Sequence, residues 1–123
     1  MIEARGVGNQ RIGQAGKTWG VITRLWRGWT PSANADAYER FLLHEPFPSM
    51  RSISGFIGAD VLRREVDGDE VAFVTLTRFE GLDAIRGFAG ENYETAVIEP
   101  QADALLSHYD DRAQHFFTAS FTP

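Results

Sequence analysis

The chain has 123 residues, enough for one hydrophobic core and one domain, and 43% of them are hydrophobic, which excludes wholesale disorder. A formal charge of −5 lacks the basic footprint of a general nucleic-acid binder, and the lack of cysteine excludes disulfides, thiolate nucleophiles and cysteine metal sites. No apolar run nears the ~20 residues that cross a bilayer, and the N-terminus has no signal-peptide apolar region, so the expectation is a cytoplasmic protein with no membrane partner.

Residues 1–20 carry five glycines and little apolar material, with neither a strand nor a helix period, and read as a flexible leader. A single domain over residues 21–123 follows. Residues 21–29 alternate as a first strand, with Val21, Thr23, Leu25 and Arg27 on one face and Ile22, Arg24, Trp26 and Gly28 on the other. Thr30-Pro31-Ser32 breaks this strand and opens a helix over 33–45, with Ser32 able to cap it. Ala35, Tyr38, Phe41 and Leu42 form its apolar stripe, and Pro46 and Pro48 end it.

Residues 57–66 and 70–79 read as two strands joined by Asp67-Gly68-Asp69, where Asp-Gly tolerates the positive φ of a tight hairpin. In the second arm Phe73, Thr75, Thr77 and Phe79 share one face, and Ala72, Val74, Leu76 and Arg78 the other. A short helix over 81–89 turns Leu82, Ile85 and Phe88 to the sheet. Helical turns follow at 95–98 and 102–107, and a last strand at 112–121. The fold class is therefore α+β, a ferredoxin-like split βαβ with a four-stranded antiparallel sheet and both helices on one face. With Trp26, Phe73, Phe79, Phe117 and Phe121 on the face left open, the aromatic patch calls for cover by a second copy, so a homodimer is expected.

Three stretches carry a resemblance. They are Ile22-Thr-Arg24-Leu-Trp26-Arg-Gly28 with Thr30-Pro31 and Asp36-Ala-Tyr38, then Val61-Leu-Arg63-Arg64 before the turn, then Phe79-Glu-Gly-Leu-Asp-Ala-Ile85 through Phe88 to Tyr93. Together they make the chain, over residues 21–121, similar to the antibiotic biosynthesis monooxygenase-like family. The resemblance implies a dimeric α+β barrel with a pocket between sheet and helices in each subunit. It also implies either cofactor-independent oxygenation of a phenolic or polycyclic aromatic molecule, or haem degradation. The haem-degrading branch works through a first-strand asparagine, a tryptophan ending the third strand and a histidine after the second helix. This chain has Arg24 and Trp26 on the first strand, Phe79 at the strand end, and Glu91-Asn-Tyr93-Glu94 after the helix. No cofactor is therefore expected, and haem is disfavoured.

Among residues that carry chemistry, His115 shares a strand face with Phe117, where an imidazole could take a phenolic proton; a buried histidine satisfied by its neighbours is the competing account. Arg24 could stabilise a substrate oxyanion, or pair with a nearby carboxylate. Trp26, Phe73 and Phe79 could wall a flat substrate, though bulky strand residues are more often core or interface. Tyr93 falls where the family's pocket rim lies, and with Phe117 completes the substrate-binding set. The three histidines have no metal-ligand spacing. The function that follows is oxygenation of an aromatic phenol with Arg24 and His115 as catalytic groups. The alternative is a non-catalytic barrel that binds a small apolar ligand or serves assembly.

Overall fold

The computed structural model describes residues 20–123, so the stretch read as a leader lies outside the described residues except for Gly20. Five strands form one antiparallel sheet: β1 (Ile22–Pro31), β2 (Phe56–Val66), β3 (Glu70–Phe79), β4 (His108–Tyr109) and β5 (Gln114–Phe117). Their order is β2-β3-β1-β4, with β5 also on the β4 side of β1, which is the ferredoxin-like topology. Helices α1 (Ala35–His44), α2 (Pro46–Ser49), α3 (Leu82–Ala89) and α4 (Pro100–Leu105) supply the cover.

The hairpin forms, but its positive φ falls one residue later than the Asp67-Gly68 pair expected. Val66 pairs with Glu70, and Gly68 and Asp69 take the positive φ values of 82° and 64°. The first helix differs from expectation at both ends. Ser32–Asn34 is a single 3-10 turn without a side-chain cap, and the Asn34 amide donates to the Leu105 carbonyl instead (3.1 Å). Pro46 forces Glu45 off helical geometry (φ −122°, ψ −78°), but the chain then resumes a helical turn with Pro46 in its first position.

The last strand is broken rather than continuous over 112–121. Residues 111–113 leave β1 to meet residues 94–96: Thr95 bridges Arg112, the Ala96 N–H donates to the Asp111 carbonyl (2.9 Å), and that of Ala113 to the Glu94 carbonyl (2.7 Å). That pairing engages Thr95 and Ala96, and no helical turn forms over 95–98; the turn read at 102–107 is α4, two residues earlier. Beyond Thr118 the chain is irregular and Phe121 is 89% exposed.

The faces are also reassigned. Ile22 opposes Phe79, Gly28 opposes Phe73, and Phe117 opposes Ile22, so these residues lie on the helix side together with Trp26. Two core clusters result, one around Tyr38, Phe41 and Phe73, the other around Ile22, Met50, Phe79 and Ile85. Burying aromatic rings of 150–250 Å² each against helices outweighs burying the smaller aliphatic side chains there. The open face carries Leu25, Leu62, Val74, Leu76 and Phe116, an aliphatic surface rather than the expected aromatic one.

Candidate functional site

The β1–β3 register sets Arg24 opposite Thr77 and Trp26 opposite Thr75, so four side chains rise together toward the helices. Tyr38 and Phe41 of α1, Phe47 of α2 and Phe88 of α3 close over them, leaving a cavity of about 80 Å³. Val97, Ile98 and the exposed Glu99 form its irregular side.

Arg24 is only 4% exposed. Its Nη1 donates to the Tyr93 carbonyl and to His115 Nε2 (3.1 Å), and its Nη2 to the Thr95 carbonyl (3.1 Å). Its guanidinium also lies 5.3 Å from the centre of the Phe88 ring. Three of the five guanidinium N–H groups are thus engaged, and among the described residues no carboxylate pairs with the charge. Burial lowers the Arg24 pKa to about 10, which leaves the group cationic at neutral pH.

Arg24 can only donate, so His115 accepts at Nε2 and carries its proton on Nδ1. The lone pair that a general base would use is therefore directed at Arg24. Burial first, then the adjacent Arg24 charge, lower the His115 pKa to about 4 against a smaller opposing pull from Glu94. The Tyr93 ring sits edge-on to the imidazole at 5.3 Å. Both rings line an open groove of about 750 Å³ at the sheet edge, and neither lines the cavity.

Of the residues singled out by sequence, the structure brings Arg24 and Trp26 to the cavity. The Trp26 indole N–H donates to the Asp110 carbonyl (2.7 Å), which fixes the ring's plane where the last strand breaks. Gly28 allows this placement, because a Cβ there would stand 2.9 Å from Leu106 and 3.2 Å from the indole. Phe73 and Phe79 are core residues at 1% and 0% exposure, Phe73 meeting Tyr38 edge-on at 4.9 Å. Phe117 packs against the second core cluster.

Sequence reasoning missed Tyr38, Thr75, Thr77 and Phe88 as lining groups. A visible signal existed: two threonines alternate between Phe73 and Phe79 on a buried strand face, where hydroxyls need a reason to be. Among the described residues neither threonine hydroxyl nor that of Tyr38 has a side-chain hydrogen bond. Burial raises the Tyr38 pKa, so its phenol stays protonated and able to donate.

No group of three or more His, Cys, Asp or Glu is placed for a metal among the described residues. Haem does not fit the cavity: no histidine or cysteine lines it, and 80 Å³ is below even the ~150 Å³ that admits benzene. No described helix is long and apolar enough to cross a membrane.

No family profile and no curated protein matches the chain in sequence. Solved structures do match its fold. SnoaB, a cofactor-independent oxygenase from Streptomyces nogalater, superposes with a TM-score of 0.53 at 23% identity, over 84% of this chain and 96% of its own. A monooxygenase from the gene ActVA-Orf6 of Streptomyces coelicolor, in complex with nanaomycin D, gives 0.52 at 15% identity, over 85% and 92%. The haem degrader MhuD from Mycobacterium tuberculosis, with two haems in its active site, gives 0.52 at 18%, over 84% and 99%. The chain has the fold of the antibiotic biosynthesis monooxygenase-like proteins.

Proposed function

We propose that this protein is a cofactor-independent monooxygenase of a phenolic small molecule, working in the cavity between sheet and helices. The observation that carries the reading is Arg24, a buried cation with no carboxylate partner among the described residues, at the floor of an aromatic-walled cavity. A buried charge left unpaired is costly, and an anionic ligand oxygen offsets that cost. Two guanidinium N–H groups remain to receive it, and the Tyr38 O–H is a further donor on the wall.

Arg24 lowers the pKa of a bound phenol, whose proton leaves to solvent. The electron-rich anion then reduces dioxygen directly: the phenolate, a proton from solvent and O2 become a quinone and H2O, the ring C–H becoming the second C=O and the substrate supplying the electrons. His115 holds Arg24 in place as a positioning residue, and Trp26 orients the ring. The similarity to SnoaB, itself a cofactor-independent oxygenase, supports the reading at the level of fold. We also propose that the aliphatic open face packs against a second copy, since Leu62 and Phe116 are each 47% exposed on it.

The test is oxygen uptake by the purified protein with phenolic substrates and no added cofactor. One O2 consumed per oxidised substrate is expected, and Arg24→Met should lose it while still unfolding in a single cooperative transition, at a lower temperature because the Tyr93 and Thr95 carbonyls lose their donor. Phenols that bind without any oxygen uptake would overturn the enzyme reading and leave a ligand-binding barrel.

A further inference from the structure

We infer that the cavity takes a single-ring phenolate, charged oxygen first, and not a polycyclic molecule; this rests on the cavity being the oxygenase site. Its volume is the first reason. About 80 Å³ lies below the ~150 Å³ of a cavity that admits benzene and far below the ~300 Å³ at which drug-sized pockets begin. One ring needs the cavity to widen to nearly twice its volume, and three fused rings need a different cavity.

The second reason is which walls can give. The floor is the hydrogen-bonded β1–β3 ladder, and the Trp26 ring is held by its 2.7 Å bond to Asp110 and by the close fit over Gly28. Tyr38, at 1% exposure, is locked edge-on against Phe73. Among the described lining residues, only the stretch carrying Val97, Ile98 and Glu99 has no regular structure, and Val97 is 45% exposed. Widening therefore falls to that stretch.

The third reason is charge placement. The cation lies on the floor, where Thr77 faces Arg24 across the strands, while Glu99 stands exposed at the rim. An anionic oxygen is drawn inward, and an anionic substituent left at the mouth meets a carboxylate. The substrate is thus a compact monoanion whose far end is uncharged.

The probes are 4-nitrophenolate, 4-nitro-1-naphtholate and the alizarin anion, with one, two and three rings, titrated at pH 8.5 by their absorbance shift. Wild type should bind the one-ring probe at least about ten-fold tighter than either larger one. Arg24→Met should weaken that binding by about ten-fold or more. Phe47→Ala, or the milder rim variant Val97→Ala if the first is unstable, should admit the two-ring probe. Wild type binding alizarin as tightly as 4-nitrophenolate would overturn the single-ring inference and leave the oxygenase reading standing. Binding of none of the three would sink both.

Discussion

Among the described residues, the surroundings of Arg24 hold a charge without supplying a counter-charge. Two backbone carbonyls and one imidazole hold the guanidinium, and the residue lines the cavity. Removing a charge-assisted hydrogen bond costs about 1.5–3 kcal/mol, so Arg24→Met should cut phenolate affinity by about 10- to 100-fold, read by titration calorimetry. His115 contributes a pH dependence whose sign is fixed. Its folded pKa of about 4 lies below the ordinary 6.5, so the unfolded chain binds more protons between those values. Stability from this group is complete above about pH 6.5 and falls as pH drops toward 4. His115→Gln keeps an acceptor for Arg24 but cannot titrate. Its melting temperature should therefore fall less between pH 6.5 and 5 than that of wild type. Equal slopes would show that His115 is solvated in the folded protein.

At the scale of elements, β3 carries both core and site. Val71, Phe73 and Phe79 bury into the two clusters, while Thr75 and Thr77 between them line the cavity. A single strand phase thus fixes packing and chemistry together, because the period of two leaves no freedom to turn one without the other. Phe73→Ala should cost about 3–5 kcal/mol in urea denaturation, since it empties the ring position beneath Tyr38. Loss under about 1 kcal/mol would mean the first cluster collapses to fill the space. The break between β4 and β5 is the other decisive element. By sending residues 111–113 to pair with 94–96, it leaves the Asp110 carbonyl to receive Trp26 and brings the Tyr93 and Thr95 carbonyls to Arg24.

The whole molecule presents helices on one side and an aliphatic sheet face on the other. Arg27, Asp60, Arg64 and Arg78 share that face with Leu25, Leu62, Val74 and Leu76, and Arg78 already pairs with Asp60 at 2.7 Å. Both signs of charge beside a shared apolar centre suit a two-fold, self-complementary contact. The protein should therefore sediment at twice its 13.7 kDa chain mass, and Leu62→Glu should return it to the single-chain mass without unfolding it. Wild type at the single-chain mass at micromolar concentration would remove the dimer from the account.

Sequence alone determined the α+β topology, because strand alternation, the Asp-Gly turn and the helix stripes are local patterns with fixed periods. It also delivered Arg24 and Trp26 as partners on one strand face, two residues apart. Only the tertiary structure decided which face of the sheet the helices cover, since both faces mix apolar and polar side chains and alternation is blind to that choice. Phe73, Phe79 and Phe117 consequently went to the core, and Leu25, Val74 and Leu76 to the open face. Tertiary structure likewise set the surroundings of His115. Its partner Arg24 lies 91 residues away in the chain, and the register of β5 on β1 aims its lone pair at a cation instead of a substrate.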